Sequence, residues 1–231
     1  MATPMKIDFV SDVSCPWCVI GLTALEQALA RLADQVTPEI HFQPFELNPD
    51  MAPDGQDIGE HLAEKYGATA QQSAANREAI RARGAALGFT FNMEQRGRIY
   101  NTFDAHRLLH WAELEGRQAA LKHALFKAYF TDGKDPSAHA VLIGLADEVG
   151  LDAKRAAEIL ASDAYTANVR ARERQYLNLG INSVPAIIIN ERFLLQGGQP
   201  VEAFEQGLRQ IVAQSATPTA SDAAVEPASR A

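Results

Sequence analysis

The residues most able to do chemistry are the chain's two cysteines, which stand three positions apart. Cys15 and Cys18 enclose Pro16 and Trp17 in the tetrapeptide CPWC. On one turn of a helix this spacing brings the two sulfur atoms within reach of a disulfide. A pair of this kind next to a strand–helix pattern predicts thiol–disulfide redox chemistry before it predicts a structural disulfide.

The segments on either side of CPWC have the patterns of a strand and a helix. Residues Lys6–Ser11 alternate in the manner of a strand. Ser14 is a candidate N-cap, and Pro16 suits a first helical turn because its missing N–H would have no partner there. Apolar positions then recur at helical spacing, at Cys18, Leu22, Leu25, Leu29 and Leu32. The dithiol is therefore predicted to open a helix.

A position at the start of a helix gives the two thiols different predicted roles. The first backbone N–H groups of a helix are unpaired, and the helix dipole is positive at that end. Both effects favour a thiolate, so Cys15 is predicted to be the attacking nucleophile. Cys18 lies one turn further in, where we expect it to be more buried and to act as the resolving thiol.

Two other readings of the cysteines stay open, an inert buried pair and half of a zinc site. Zinc usually takes four ligands, and the six histidines show no ligand spacing beside the cysteines. His106 and His110 are four residues apart on one predicted helix, but they lack the intervening glutamate of an HExxH motif. We predict no metal site.

A second chemical feature is the segment Ser183-Val184-Pro185, which leads into the apolar stretch Val184–Asn190. Proline at the first residue of a strand loses no ladder hydrogen bond. The bond before proline is also the one place where a cis peptide costs little. From these residues alone, a trans proline between a loop and a strand is the simpler alternative.

The rest of the chain divides into regions of different character. Residues 1–53 and 181–213 carry strand and helix patterns, which predict an α/β domain. Residues 54–180 are rich in Ala, Leu, Arg and Glu and contain a single proline up to Val184, so we predict a large all-helical insertion domain. Residues 214–231 are small, polar and proline-bearing, and we expect a disordered tail.

The expected elements follow from apolar periodicity and from glycines at the turns. A second early strand is predicted at Pro38–Phe45, a late strand pair at Val184–Asn190 and Phe193–Leu195, and a last helix at Val201–Val212. The helices predicted inside the insertion are Ile58–Tyr66, Ala70–Leu87, Arg98–Glu115, Gln118–Phe130, Ala138–Val149, Asp152–Ala161 and Ala164–Leu179.

Composition excludes several classes of protein. The chain has 231 residues, of which 47% are hydrophobic and 22% charged, with a formal net charge of −8. These values rule out a wholly disordered chain and a disulfide-dense miniprotein. An acidic balance disfavours nucleic acid and anionic membranes as partners. The N-terminus lacks a signal-peptide pattern and no apolar run reaches membrane length, so we expect a soluble cytoplasmic protein.

Taken together, these motifs resemble the DsbA-like branch of the thioredoxin superfamily. The resemblance covers about residues 5–213 and is strongest in DVSCPWCVIG, in NTFDAHRLLHWA (Asn101–Ala112) and in VPAIIIN followed by LLQGGQP. The chain looks most like the cytoplasmic FrnE-type members, which are relatives of 2-hydroxychromene-2-carboxylate isomerases and kappa-class glutathione transferases. This resemblance implies a thioredoxin-like fold whose helical insertion caps the active site.

The resemblance also implies roles for the residues around the dithiol. Cys15 would be the nucleophile and Cys18 the resolving thiol. Pro185 would be a cis-proline beside them. The Val184 backbone, with Ser183 next to it, would pair with an extended substrate or with glutathione. Ser183 stands where this branch often has glycine, which affects the expected substrate preference.

Further predictions concern residues around the dithiol and on the insertion. Asn101 and His106 would face the cleft from a helix of the insertion, with helix–helix packing as the alternative. Asp12 could take the proton of the resolving thiol, although capping of a helix or turn is the reading that the sequence favours. Trp17 is expected on the exposed rim. Val19 replaces the tyrosine that often follows CPWC in this branch.

The function predicted from these features is thiol–disulfide exchange with protein or small-thiol substrates. It requires no metal or nucleotide, and glutathione is the expected small-thiol partner. The alternative is a glutathione-dependent isomerase or transferase; those relatives replace the first active-site cysteine with serine, whereas this chain keeps both. A redox-sensing or chaperone-like binder is a third hypothesis. An exposed helical insertion is also compatible with a homodimer.

Overall fold

The computed structural model describes residues 2–216 and contains the strand–helix–strand unit expected at the start. Strand β1 (Thr3–Ser11) leads into helix α1 (Pro16–Arg31), which returns the chain to strand β2 (Val36–Pro44). Strands β1 and β2 pair in parallel, from Thr3 opposite Val36 to Ser11 opposite Pro44. Both strands extend two or more residues beyond their predicted N-terminal limits.

A long, mainly helical segment follows, and it contains a short two-stranded antiparallel ribbon. Its elements are β3 (Gln56–Asp57), α2 (Ile58–Tyr66), α3 (Ala70–Ala86), β4 (Arg98–Ile99), α4 (Phe103–Leu114), α5 (Gln118–Phe130), α6 (His139–Glu148), α7 (Ala153–Leu160) and α8 (Thr166–Asn178). The bounds predicted for α2 and α5 are confirmed. The helix predicted over Arg98–Glu115 is wrong at its start, because Arg98 and Ile99 pair with β3 instead.

The chain then returns to the main sheet. Strands β5 (Ala186–Ile189) and β6 (Phe193–Gln196) form an antiparallel hairpin, and helix α9 (Val201–Ala216) follows. The sheet order is β2-β1-β5-β6, with β5 antiparallel to β1. This βαβ unit followed by a hairpin and a helix matches the α/β class with a thioredoxin-like arrangement. The last helix runs beyond the predicted Val212, and residues 217–231 of the expected tail lie outside the described residues.

Two large apolar cores hold these elements together. The first joins the sheet to α1 and α9, and it also takes in aromatic side chains of α5, namely Phe126, Tyr129 and Phe130. The second lies mainly among α4–α7 and includes Val13 from the turn between β1 and α1. The helical segment therefore shares its packing with the sheet around the dithiol. The domain boundaries at 53/54 and 180/181 stay a prediction.

Within residues 2–216, no helix combines the length and the apolar character needed to cross a bilayer.

Candidate active site

The two cysteines lie at the N-terminus of α1, as the sequence predicted. Cys15 is the N-cap residue in extended conformation, with φ −92° and ψ 111°, and Pro16 opens the helix. The prediction of Ser14 as the N-cap is wrong by one position, and no side chain makes a capping hydrogen bond at this end of the helix. Both thiols are free, with Cys15 4% exposed and Cys18 fully buried. Burial, together with a hydrogen bond to Cys15, raises the pKa of the Cys18 thiol well above its usual value.

Pro185 lies beside the dithiol, and the peptide bond between Val184 and Pro185 is cis. The Cys15 thiol donates to the Val184 carbonyl, with Sγ and O 3.8 Å apart. Val184 is half-buried, Ser183 is exposed and Pro185 is buried. An exposed backbone segment thus passes directly in front of Cys15, where an extended thiol substrate could lie against it.

Two glycines allow this close packing around the dithiol. A Cβ at Gly21 of α1 would come within 2.9 Å of Pro185 Cγ, so only glycine lets the helix approach the proline without a shift. A Cβ at Gly198 would lie 3.0 Å from the carbonyl oxygen of Trp17. The glycines therefore fix the distances among CPWC, the cis peptide and the turn after β6.

Trp17 forms part of a rim built from both parts of the chain. Its ring is half-buried and lies 5.5 Å from the guanidinium carbon of Arg83 on α3. Arg83 also donates to the Gly198 carbonyl at 3.0 Å. The helical segment is thereby tied to the edge of the dithiol site by a cation–π contact and a hydrogen bond.

Asp12 is a buried cap of the turn that carries the cysteines. Its side chain is 1% exposed, and its oxygens accept from the N–H groups of Ser14 at 3.1 Å and Leu47 at 2.6 Å. Burial alone would raise the pKa of Asp12, but His106 and these two N–H donors lower it below its usual value. Asp12 is therefore held as a carboxylate and fixes the β1–α1 turn against the segment after β2, which agrees with the capping role favoured from sequence.

The two residues expected to face the cleft from the insertion differ in position, since His106 is buried and Asn101 is half-buried beside Pro49. His106 is only 3% exposed, and its Nε2 is 3.8 Å from Asp12 Oδ1, beneath the dithiol turn rather than on the cleft surface. Asn101 accepts from the N–H of Phe103 at 2.9 Å and so caps the start of α4. Its amide also donates to the Pro49 carbonyl at 3.4 Å. The cleft-facing prediction is wrong for the His106 ring.

An open cleft of about 550 Å³ adjoins the segment after β2. Residues 47–52 form one wall and α2 the other, and Lys65 joins the walls by donating to the carbonyl of Leu47 at 2.5 Å and to Asn48 Oδ1 at 2.7 Å. Among residues 2–216, no group of three or more His, Cys, Asp or Glu side chains is arranged for a metal ion.

Sequence reasoning missed two buried cations near the cysteines. Arg96 stacks on Tyr129 and Phe130, at 4.8 and 4.9 Å from the ring centroids, and donates to the Ser14 carbonyl at 3.3 Å. Lys122 of α5 is 1% exposed. A signal for Lys122 was present, because it stands four residues before Phe126 and so falls on the apolar face of the helix.

The chain is similar to known proteins over most of its length. The family model described as DSBA-like thioredoxin domain matches residues 6–209 of this chain. A crystal structure described as a probable DsbA oxidoreductase from Streptomyces coelicolor is 35% identical, with 93% of this chain and 92% of that chain covered and a TM-score of 0.86.

Two more distant structures share the fold. A 2-hydroxychromene-2-carboxylate isomerase is 15% identical, with 91% and 98% of the two chains covered and a TM-score of 0.68. The cytosolic disulfide reductase DsbM from Pseudomonas aeruginosa, solved with GSH, is 17% identical, with 90% and 99% covered and a TM-score of 0.64. The match over residues 6–209 and the 35% identity to the Streptomyces coelicolor structure lead to one conclusion: the chain belongs to the DsbA-like thioredoxin domain family.

Proposed function

We propose that this protein is a thiol–disulfide oxidoreductase that uses Cys15 as nucleophile and Cys18 as resolving thiol. The observation that carries the proposal is the position of two free thiols at the start of α1, with the Cys15 thiol bonded to the Val184 carbonyl. Cys15 lies at the end of α1 where the first backbone N–H groups of the helix are unpaired. The Val184 backbone in front of it offers hydrogen-bonding groups to an extended substrate.

The proposed exchange reaction needs no cofactor. In the reductive direction the Cys15 thiolate attacks a substrate disulfide, forms a mixed disulfide and releases one substrate thiolate. Cys18 then attacks the Cys15 sulfur, which releases the second thiolate and leaves the Cys15–Cys18 disulfide. In the oxidative direction each step runs backwards, and two substrate thiols leave as a disulfide.

The substrate classes we propose are thiol- or disulfide-bearing proteins and small thiols such as glutathione. The rim at Trp17 and the exposed backbone at Ser183 suit a polypeptide, while the cleft beside α2 suits a small thiol. We also propose a cytoplasmic location, where glutathione is the abundant thiol. Asn101 would act here by holding the cleft wall at Pro49 rather than by touching substrate.

A Cys18→Ser variant tests the proposed division of roles. After incubation with glutathione disulfide, we expect the variant to accumulate one glutathione joined to Cys15, because no thiol can resolve the mixed disulfide. The wild-type chain should instead carry the internal disulfide. Intact-mass spectrometry with peptide mapping measures both.

The same experiment distinguishes this proposal from the alternative function, a glutathione-dependent isomerase or transferase. That reading predicts glutathione held without a covalent bond and an activity that survives in Cys18→Ser. If the variant forms no adduct at Cys15, the assignment of Cys15 as nucleophile is wrong.

A further inference from the structure

Arg83 is an exposed cation of α3 that lies at the rim of the dithiol site. Its guanidinium carbon is 5.5 Å from the centroid of the Trp17 ring, and its Nη1 donates to the Gly198 carbonyl at 3.0 Å. Trp17 stands between the two cysteines in the sequence. These two contacts hold the guanidinium at the edge of the dithiol.

A short series of hydrogen bonds joins Arg83 to the backbone that faces Cys15. The N–H of Gly197 donates to the Pro185 carbonyl at 2.8 Å, so the turn after β6 lies against this proline. The next residue of the same turn accepts from Arg83. The Cys15 thiol donates to the Val184 carbonyl at 3.8 Å. Arg83 therefore borders the backbone segment along which an extended substrate would lie.

The guanidinium of Arg83 keeps hydrogen-bonding capacity for a ligand. A guanidinium has five N–H donors, and the bond to the Gly198 carbonyl occupies one of them. Stacking on Trp17 uses the face of the guanidinium plane, which leaves the N–H groups at its edge accessible. A planar fork of this kind matches the two oxygens of a carboxylate.

The charge of Arg83 differs in its surroundings from that of the arginine two positions earlier. Arg81 forms ion pairs with Glu78 and Glu94. Within residues 2–216, the contacts of Arg83 are with a ring and a carbonyl, and no Asp or Glu forms an ion pair with it. The chain as a whole carries a formal charge of −8, so Arg83 is a local unpaired cation on an acidic protein. The group that complements it is a carboxylate of a bound partner.

We propose that Arg83 is a specificity-determining residue that selects polypeptide substrates with an acidic side chain close to the reacting cysteine. This inference rests on the proposed function. Successive residues of an extended chain are about 3.3 Å apart, so the acidic residue would lie within a few positions of the cysteine. Its carboxylate would accept from the free N–H groups of Arg83 when the substrate binds. The contact forms before Cys15 attacks, and it should therefore act on kcat/KM.

A polypeptide is the substrate class that this rim favours. An aromatic ring, a guanidinium and the exposed backbone at Ser183 lie side by side, and together they can contact a chain over several residues. The cleft beside α2 is lined by other residues, and neither Trp17 nor Arg83 belongs to its walls. The proposed carboxylate contact is therefore distinct from that cleft.

Single-turnover reduction of peptide disulfides by the reduced full-length protein tests the inference. The substrates are disulfide-linked dimers of one short fluorescent peptide, self-quenched until reduction, with glutamate or glutamine on both sides of the cysteine. We expect the glutamate-to-glutamine rate ratio of the wild-type chain to be about fivefold higher than that of Arg83→Gln, the upper range for an exposed ion pair. The difference should shrink as salt is added.

Two further variants separate a local contact from overall charge. Arg81→Gln removes the same charge from the same helix, at a position already paired with Glu78 and Glu94. Its ratio should stay within about twofold of the wild-type value, because salt screens distant charges. Arg83→Glu reverses the charge, and its ratio should fall below that of Arg83→Gln. A loosened rim would slow both peptides equally and would leave the ratio unchanged.

Each outcome decides the inference. An Arg83→Gln ratio equal to that of the wild-type chain would overturn it, as would an equal fall in Arg81→Gln. Glutathione disulfide should be reduced by Arg83→Gln at nearly the wild-type rate. If that rate falls by the same factor as the rate with the glutamate peptide, the assignment to polypeptides is wrong. If the wild-type chain reduces neither peptide, the proposed function itself fails, whereas reduction with an unchanged ratio removes the role of Arg83 alone.

Discussion

Replacing Cys15 by serine is expected to lower the rate of disulfide exchange by about a thousandfold or more, to the background of the uncatalysed reaction. A serine hydroxyl does not attack a disulfide at neutral pH. Cys18 cannot substitute for it, because Cys18 is fully buried whereas Cys15 is slightly exposed beside Val184. The measurement is kcat/KM for the glutathione-dependent reduction of a model disulfide.

The structure of Cys15→Ser should remain close to that of the parent chain, since the Cys15 side chain makes no capping hydrogen bond to α1 and a serine hydroxyl can also donate to the Val184 carbonyl. Far-UV circular dichroism and a denaturant midpoint check this point. An activity that survives within tenfold would contradict the proposal. It would favour instead a site that binds glutathione and activates it through the helix terminus.

The second large effect is expected from Glu46, whose carboxylate is buried next to another. Arg170 bonds to both Glu46 and Glu173, yet one oxygen of each carboxylate has no hydrogen-bond partner. Burial, with the charge of Glu173, raises the pKa of Glu46 to about 8, against the opposing effect of Arg170. Glu46 precedes Leu47, the residue that holds Asp12, so this cluster anchors the segment next to the dithiol.

The raised pKa of Glu46 determines the direction in which the free energy of unfolding changes with pH. Between the unfolded pKa near 4.5 and the folded value of about 8, the native state binds more protons than the unfolded chain. The contribution of Glu46 to the free energy of unfolding is therefore fully present at low pH and falls as pH rises through this window. A Glu46→Gln variant should lose this dependence and be more stable than the wild type above pH 8 by a few kcal/mol, at about 1.4 kcal/mol per pKa unit.

Urea unfolding at pH 5 and at pH 8.5 measures the effect. Glu158→Gln is the matched control, because Glu158 is exposed and pairs with Arg155 on the same helix, so its change should stay within about 0.5 kcal/mol. Equal stability differences between Glu46→Gln and wild type at the two pH values would contradict the assignment.

Local sequence signals were sufficient where local physics decides the structure. CPWC at the start of a helix, Pro185 before an apolar strand, and the bounds of α2 and α5 follow from apolar periodicity, proline and terminal glycines. The cis peptide itself rested on the family resemblance. The helix predicted from Arg98 failed because the two-residue strand β4 gains its partner from β3, more than forty residues earlier.

The buried residues around the dithiol could not be predicted from local sequence signals in the same way. Gln118 clamps α5 onto β2 and so buries Lys122 beside Phe42 and Phe126. Arg96 donates to the Ser14 carbonyl while it stacks on Tyr129 and Phe130. The hydrogen bonds made by Gln118 and Arg96 join positions 76 and 82 residues apart. His106 was recognised as notable, but its spacing could not distinguish a ring aimed at the cleft from one buried behind Asp12.

The most direct test of the central claim is a redox titration of the wild-type chain in glutathione buffers, with acid quenching, thiol alkylation and intact-mass detection. We expect one reversible transition between a form with two alkylated cysteines and a form with the Cys15–Cys18 disulfide. A potential near roughly −120 to −200 mV would indicate an oxidant or isomerase, and one near roughly −270 mV a reductase. Persistence of both free thiols across the titration, or only bound glutathione, would contradict the claim that this pair cycles as a disulfide.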